Sequence, residues 1–265
     1  MSETVKDRVV GLNPPDNAKP ASGGVRLVFL PLPDLTAAAA GEHLHAAMSE
    51  CLDRGASWGH DDNEKPYVVS PVTQLEGCPG IQVATLTDDA AVALGRVVRS
   101  STRFRLGTVI TRVGRPQVIG GASWPQLASR RARGWTIELL TPTVFHSGRQ
   151  FSPLPSVPLL LGAPRRIWNK YSRIPLETAT PHQLKDVYID AVDLRSEPVV
   201  FRIDQPGRGR APLSFEGSTG SVHVRCVSGE TAALVSPLFA LLPFSGVGAY
   251  RRWGLGVVDV TPDVN

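Results

Sequence analysis

The sequence lacks the features that mark membrane-spanning, secreted and disulfide-stabilised proteins. No apolar run reaches the length of about 18 residues that a membrane span needs. Residues 1–24 are polar, without the apolar stretch of a signal peptide, and are predicted to be a flexible lead-in. The three cysteines, Cys51, Cys78 and Cys226, are widely spaced, which excludes a disulfide framework and paired CxxC ligands. These absences predict a cytoplasmic protein with no membrane partner.

The common nucleotide, hydrolase and zinc motifs are missing as well. The sequence has no GxxxxGK[ST] run, no GxSxG elbow and no HExxH or HxxxH pattern. His43 and His45 would point to different sides of a helix, so they cannot chelate one metal ion together. We therefore expect neither a metal nor an organic cofactor.

Lysine is scarce, whereas arginine is abundant. Lysine and arginine together number 28, and only five of them are lysines (28 − 5 = 23 arginines); the net charge is +4. The planar guanidinium group binds phosphates and stacks on bases. A GC-rich genome would also favour arginine, so the charge permits a nucleic-acid partner without requiring one.

The pattern of the first half predicts a ferredoxin-like β-α-β-β-α-β unit. Leu44, Met48 and Leu52 form the apolar stripe of an amphipathic helix that ends near Gly55. A second helix lies within TDDAAVALGRVV. The four strands are predicted at Val25–Leu32, Tyr67–Val72, Ile81–Leu86 and Phe104–Val113.

The second half predicts a similar unit with insertions. A helix should start at Thr180, because Pro181 and Gln183 complete a capping pattern. Further helices are predicted within LLLGAPRRIWNKY and from Ser236. Strands are predicted at Trp135–Pro142, Pro198–Asp204, Ser221–Val227 and Gly256–Val260. The expected fold class is thus α+β with two tandem ferredoxin-like units, at residues 25–120 and 121–265.

A glycine-rich stretch, FSGVGAYRRWGLG, precedes the last predicted strand. The spacing does not fit GxGxxG, and the order helix, loop, strand would leave a pyrophosphate no helix N-terminus. Glycines allow a ligand to approach the backbone closely, and the neighbouring arginines and aromatic residues offer phosphate contacts and stacking surfaces. A turn with no binding role is the alternative.

This stretch resembles the C-terminal signature of the RAMP superfamily of CRISPR-associated RNA-binding proteins. LTPTVFHSG, PLP, RRIWNKY and SFEGSTGSVHV are similar to one branch, the endoribonuclease that cuts precursor crRNA. GHDDNEKPYVVSPV resembles the segment that carries the catalytic histidine of that branch. The resemblance covers most of residues 25–260 and agrees with the two ferredoxin-like units.

The resemblance implies metal-independent cleavage, in which the ribose 2′-OH attacks the adjacent phosphate and leaves a 2′,3′-cyclic phosphate and a 5′-OH. His60 matches the position of the family's histidine and is the candidate general base or acid, with His45 and His43 as runners-up. Lys65 could neutralise the phosphorane, and Tyr67 could orient a group or donate a proton.

The implied partners are CRISPR repeat RNA and precursor crRNA, with subunits of a CRISPR effector complex as further candidates. The RNA-binding candidates are Gly246, Gly248, Tyr250, Arg251, Arg252, Arg165, Arg166 and Lys170. Trp253 could stack on a base or fill the core under the loop. A non-catalytic RAMP subunit that only binds crRNA is the alternative function.

Overall fold

The computed structural model describes residues 23–35, 41–54, 56–59, 62, 64–100, 103–148, 150–205 and 209–263. Most of the predicted lead-in therefore lies outside the described residues. The first half contains β1 Gly24–Pro31, α1 Gly41–Leu52, β2 Tyr67–Leu75, β3 Cys78–Thr85, α2 Asp88–Ser100, β4 Arg103–Leu106, β5 Val109–Arg112, β6 Gln117–Ser123 and α3 Trp124–Ala128.

The second half is longer because of its extended strands. It contains β7 Gly134–Thr143, β8 Phe145–Ser147, β9 Gln150–Ser152, α4 Val157–Tyr171, β10 Val187–Gln205, β11 Gly209–Cys226, α5 Gly229–Ser245 and β12 Val258–Pro262. Two 3-10 helices, Gln183–Asp186 and Arg251–Trp253, complete the list. Among the helices of the described ranges, none is long and apolar enough to cross a membrane.

The two halves share one topology, which confirms the predicted double ferredoxin-like fold. The first sheet has the strand order β2-β3-β1-β6, and the second has the order β10-β11-β7-β12. Each order places the first and third strands of a βαββαβ unit at the centre. All pairings in both sheets are antiparallel.

The first sheet is buried on both of its faces. Val28 and Leu30 on β1 face a core formed with α1 and α2, whereas Val25 and Leu27 face a core shared with the second unit. This alternation follows from the two-residue period of a strand. The second core also contains Phe239 and Leu242 of α5, so α5 joins the two units.

The prediction for the fourth strand of the first unit was wrong. Phe104–Val113 does not form one strand; Gly107, at φ 66°, turns the chain back, and β4 and β5 pair with each other as a separate hairpin. The sheet is completed instead by β6, which pairs with β1. Since β6 extends to Ser123, it passes the predicted division at residue 120, which stays a prediction.

Two helix predictions for the second unit also change in extent. The capping pattern at Thr180 exists, because Gln183 N donates to Thr180 Oγ1 and Thr180 N donates to Gln183 Oε1. It starts only one 3-10 turn, since the chain enters β10 at Val187. Conversely, the short helix expected from Ser236 is the second half of α5.

Candidate functional site

A cleft lies where the chain leading into β2 meets α4 and the loop between α5 and β12. Its volume is about 280 Å³. The lining residues come from both units: Glu64, Lys65, Tyr67, Val68, Arg166, Gly248, Ala249, Tyr250, Arg251 and Arg252. Two segments that are far apart in sequence thus face each other across one cleft: the start of β2 with Glu64 and Lys65 before it, and the glycine-rich stretch.

The glycine-rich loop has a fixed conformation held by backbone hydrogen bonds. Val247 N donates to Gly256 O at 2.8 Å, and Ala249 N donates to Val144 O at 2.8 Å. Gly256 has φ 64°, and a Cβ atom there would overlap the Val247 carbonyl oxygen. Only glycine combines this left-handed conformation with so close an approach. The loop is therefore held in place against the end of β7.

Glu64 connects the two units through two arginines. Its carboxylate accepts a hydrogen bond from Arg166 Nε at 2.7 Å and pairs with Arg251 Nη2. Arg251 Nη1 also donates to Ser245 O at 2.7 Å, which ties the loop to the end of α5. The side chains of Glu64 and Arg251 are only 16% and 11% exposed, so water screens the pair weakly.

The charges around Glu64 keep it ionised. Burial by itself would raise the pKa of this carboxyl group, but the attraction of Arg251 and the hydrogen bonds from Arg166 and Arg251 lower it below the usual value. The carbonyl oxygen of Glu64 accepts further hydrogen bonds from Lys170 Nζ, at 2.9 Å, and from the Tyr171 hydroxyl. Helix α4 therefore holds both the backbone and the side chain of Glu64.

A buried polar network centred on Asp53 lies beneath the cleft. Asp53 accepts hydrogen bonds from Lys65 Nζ at 2.9 Å, Trp58 Nε1 at 2.7 Å and the Tyr67 hydroxyl at 3.0 Å. Lys65 Nζ also donates to Gly59 O at 2.6 Å, and its side chain is only 2% exposed. The Lys65 ammonium group is therefore occupied by an internal ion pair and a carbonyl oxygen.

The network continues to the first helix. Ser49 Oγ lies 3.1 Å from the Tyr67 hydroxyl and 3.2 Å from His45 Nδ1. Burial raises the pKa of Tyr67, so the phenol stays protonated at neutral pH and donates to Asp53. With Tyr67 donating to Asp53, Ser49 can donate to the Tyr67 oxygen, so a chain of polar contacts joins His45 on α1 to Asp53.

The predicted histidines have different surroundings. His60 lies outside the described residues; its described neighbours are Gly59, which accepts from Lys65, and Asp62, whose carboxylate is 3.5 Å from Lys170 Nζ. His45 packs near Trp253, with ring centroids 6.4 Å apart. His43 instead packs against the turn between β4 and β5, where a Cβ at Gly107 would come within 2.7 Å of its ring.

The predicted RNA-binding residues fall into two groups. Arg251, Arg166 and Lys170 make ion pairs or hydrogen bonds with the segment from Asp62 to Glu64. Arg252 lines the same cleft, its guanidinium 5.9 Å from the Trp253 ring, and no carboxylate of the described ranges pairs with it. Arg165 is exposed on α4. The structure thus separates arginines that join the units from an arginine that is available to a ligand.

Tyr250 and Trp253 belong to an aromatic cluster rather than standing alone. Tyr250 stacks on Phe215 of β11 at 5.4 Å with an interplanar angle of 12°. Trp253 packs edge-on against Phe201 of β10 at 4.8 Å. Trp253 is thus partly buried against the long β10–β11 hairpin, which is the packing role predicted as one of its two alternatives.

Sequence reasoning missed Asp53 and Glu64, the two carboxylates that organise the cleft. Asp53 follows α1 directly, and Glu64 precedes Lys65 in the segment already quoted for its histidine. The only sequence signal was the position of Glu64 directly before Lys65, since Asp53 adjoins no predicted site residue. Their partners lie up to 187 positions away, which no local pattern specifies. Among the described residues, no group of three or more His, Cys, Asp and Glu side chains could hold a metal ion.

Known proteins share part of this sequence pattern and the whole of this fold. Residues 137–258 match the model of the CRISPR-associated endoribonuclease Cas6 family. One similar structure is a Cas6 product complex, with a TM-score of 0.74 and 21% identity over 90% of this chain and 99% of that one. Another is a product complex of Thermus thermophilus Cas6, with a TM-score of 0.63 and 25% identity over 91% and 100%.

A third similar structure is described as a RAMP protein binding different RNA substrates. It has a TM-score of 0.54 and 14% identity, over 89% of this chain and 99% of that one. No curated protein matches the sequence. These findings confirm the resemblance to the CRISPR-associated endoribonucleases, with the family signature in the second unit and the fold throughout.

Proposed function

We propose that this chain, which carries the signature and fold of a CRISPR-associated endoribonuclease, binds CRISPR repeat RNA in the cleft between its units and cuts precursor crRNA there. The reaction is attack of the ribose 2′-OH on the adjacent phosphate. It leaves a 2′,3′-cyclic phosphate and a 5′-OH, and it needs no metal ion. RNA is also bound by the similar proteins described as product complexes and as a RAMP protein.

The observation that carries the proposal is the meeting of the segment on both sides of His60 with the glycine-rich loop. Gly59, Asp62, Glu64 and Lys65 are each held by polar contacts, and Arg252 lines the opposite wall. Cleavage by a 2′-OH requires a base near neutrality, an aligned phosphate and stabilisation of the charge that develops on the phosphorane. A cleft with a histidine segment on one wall and a cation on the other supplies these groups.

His60 acts as the general base or acid in this proposal, and His45 is the second candidate. His45 Nδ1 lies 3.2 Å from Ser49 Oγ, and its ring packs near Trp253 of the glycine-rich loop, so it lies close to the cleft. Arg252 contacts the scissile or adjacent phosphate. Lys65 and Tyr67 act as positioning residues, because a buried ammonium group paired with Asp53 and a phenol with a raised pKa are poorly suited to meet the phosphate directly.

The experiment incubates the full chain in EDTA with several candidate CRISPR repeat RNAs. The wild-type protein should cut once per repeat, and the products should carry a 2′,3′-cyclic phosphate and a 5′-OH. A 2′-deoxy substitution at the cut position should abolish cleavage and leave binding unchanged. His60→Ala should slow cleavage by about 10²-fold or more. His182→Ala is the matched control, because His182 is exposed at the start of a 3-10 helix.

Three outcomes would decide against parts of the proposal. Cleavage that survives in His60→Ala and is lost in His45→Ala would move the base to α1. Cleavage of the 2′-deoxy RNA would exclude the 2′-OH mechanism. Tight binding without any cleavage would identify a non-catalytic crRNA-binding subunit instead.

A further inference from the structure

An aromatic stack extends from the cleft to the surface. Its members are Tyr250, Phe215, Phe151 and His146, with adjacent ring centroids 5.4, 5.1 and 5.0 Å apart and interplanar angles of 12°, 26° and 27°. These values describe offset, nearly parallel rings. Tyr250 precedes Arg251 and Arg252, so the inner end of the stack adjoins the cleft.

The outer end of the stack lies on the small hairpin formed by β8 and β9. His146 and Phe151 are directly opposite each other in this hairpin, and they share one face of it. His146 is exposed, and Phe151 is 36% exposed, while Phe215 beneath them is buried. Phe151 lies between Phe215 and His146 in this stack, so the ring that ends it at the surface is His146, next to the exposed part of Phe151.

Packing of the hairpin explains the inner rings but not the outer ones. Phe215 and Phe201 cover Tyr250 and Trp253, which closes the apolar cluster of the second unit. Phe151 and His146 add ring surface outside that cluster, where burial contributes little. Exposed aromatic rings placed beside cationic side chains are the arrangement that binds single-stranded nucleic acid, because every base has a flat face to stack.

We propose that His146, supported by Phe151, forms a platform on which an unpaired nucleobase of the bound RNA stacks, outside the reacting centre. The inference rests on the proposed function and adds a base-binding site to it. Arg252 would hold the backbone in the cleft, and the platform would fix the path of the strand that leaves it. Since stacking surfaces accept every base, the platform contributes affinity and register rather than sequence selection.

The test places 2-aminopurine at each unpaired position of the repeat RNA in turn, because stacking quenches its fluorescence. One position should be quenched on binding to the wild-type protein, and the quenching should be lost in His146→Ala, which removes the outer ring. It should also be lost in Phe151→Ala and Phe151→Leu, which remove the aromatic ring that supports His146. The leucine variant keeps an apolar side chain, so it separates loss of stacking from loss of packing. Tyr188→Ala is the control, since Tyr188 is an exposed aromatic residue elsewhere on β10.

Affinity and rate distinguish a platform from a structural role. Phe151→Ala should weaken RNA binding about tenfold, with the salt dependence unchanged because no phosphate contact is lost. The cleavage rate at saturating protein should stay at the wild-type value, since the platform binds substrate and transition state alike. The melting temperature should also stay near that of the wild-type protein.

The possible failures are separable. The wild-type protein could bind and cut the repeat while each labelled position shows the same fluorescence with wild type as with Phe151→Ala. That result would overturn the platform and leave the proposed function standing. A Phe151→Leu variant with wild-type quenching and affinity would do the same. Absence of repeat binding by the wild-type protein would overturn the proposed function, and the platform with it.

Discussion

The two ferredoxin-like units have the same strand order but use their charged residues in opposite ways. The first unit buries charge around Asp53, where Lys65, Trp58 and Tyr67 donate to one carboxylate. The second unit carries cations that no described carboxylate pairs with, namely Arg165 on α4 and Arg252 in the glycine-rich loop. One unit thus fixes the geometry of the cleft, and the other offers cations to a ligand.

The largest effect should come from the buried pair of the first unit. Lys65→Met leaves the Asp53 carboxylate uncompensated, and we expect the free energy of unfolding to fall by about 3–5 kcal/mol, measured by urea denaturation. The matched control is Arg112→Met, which breaks an exposed pair with Asp34 and should change stability little. Equal effects of the two substitutions would contradict the distinction between positioning charge and surface charge.

A smaller loss of stability should follow from crowding the loop of the second unit. Gly256→Ala adds a Cβ where the Val247 carbonyl lies and should cost about 2–3 kcal/mol in the free energy of unfolding. Gly77→Ala is the control: Gly77 also has a positive φ, 75°, but nothing lies within 4 Å of the added Cβ. If both variants lose the same stability, the loop is no more constrained than an open turn.

The link between the units should depend on pH. The folded-state pKa of Glu64 is below its unfolded value near 4.5, so its contribution is present above pH 4.5 and is lost as the pH falls through the folded-state pKa. Glu64→Gln should therefore be less stable than wild type by about 2 kcal/mol at pH 7, and the difference should shrink below pH 4.5. Glu50→Gln, which breaks an exposed pair with Arg54, should show no such trend. If the stability difference between Glu64→Gln and wild type stays constant between pH 7 and pH 3, the ionised form of Glu64 does not stabilise the contact between the units.

The smallest effect, and the one that best divides the arginines, concerns RNA binding. Arg252→Ala should weaken binding and reduce the slope of log affinity against log salt by about one. Arg251→Ala should mainly lower stability, since its guanidinium is engaged by Glu64 and Ser245 O. Filter binding at several salt concentrations, together with thermal melts, measures both. If Arg251→Ala lowers the salt slope and Arg252→Ala lowers only stability, Arg251 must leave Glu64 to contact the RNA.

The sequence predicted the two units and most of their elements, because strands and helices of this chain follow clear apolar periods. It failed at β6, where Gly120 and Gly121 weaken the strand signal; a Cβ at Gly121 would come within 3.0 Å of the Val25 carbonyl oxygen. The sequence analysis also predicted one continuous strand across Gly107, although the positive φ of this residue reverses the chain between β4 and β5. In both places a backbone approach or turn decides the structure, and side-chain patterns carry little information about either.

The sequence predicted which segments form the candidate site, but it did not predict the hydrogen bonds and ion pairs that connect them. The segment around Lys65 and the loop with Arg251 and Arg252 were found, since residue type and glycine spacing point to them. The role of Glu64 was not, because its partners Arg166 and Arg251 come from the other unit. The role of Asp53 was not, because Lys65 and Tyr67 reach it only when the end of α1 packs beside the start of β2. A cation next to a tyrosine indicates a polar site, but the sequence does not show whether that cation faces the ligand or the core.

The pairing of Glu64 with Arg251 also bears on how the protein acquires its activity during folding. The two residues are 187 positions apart, so closing the loop between them costs more entropy than forming local contacts, and we expect their contact to form late in folding. A refolding chain would regain its secondary structure before the wall of the cleft is complete. Recovery of RNA binding should therefore lag behind recovery of the circular dichroism signal. The delay between the two signals would measure how long the long-range contact across the cleft takes to form.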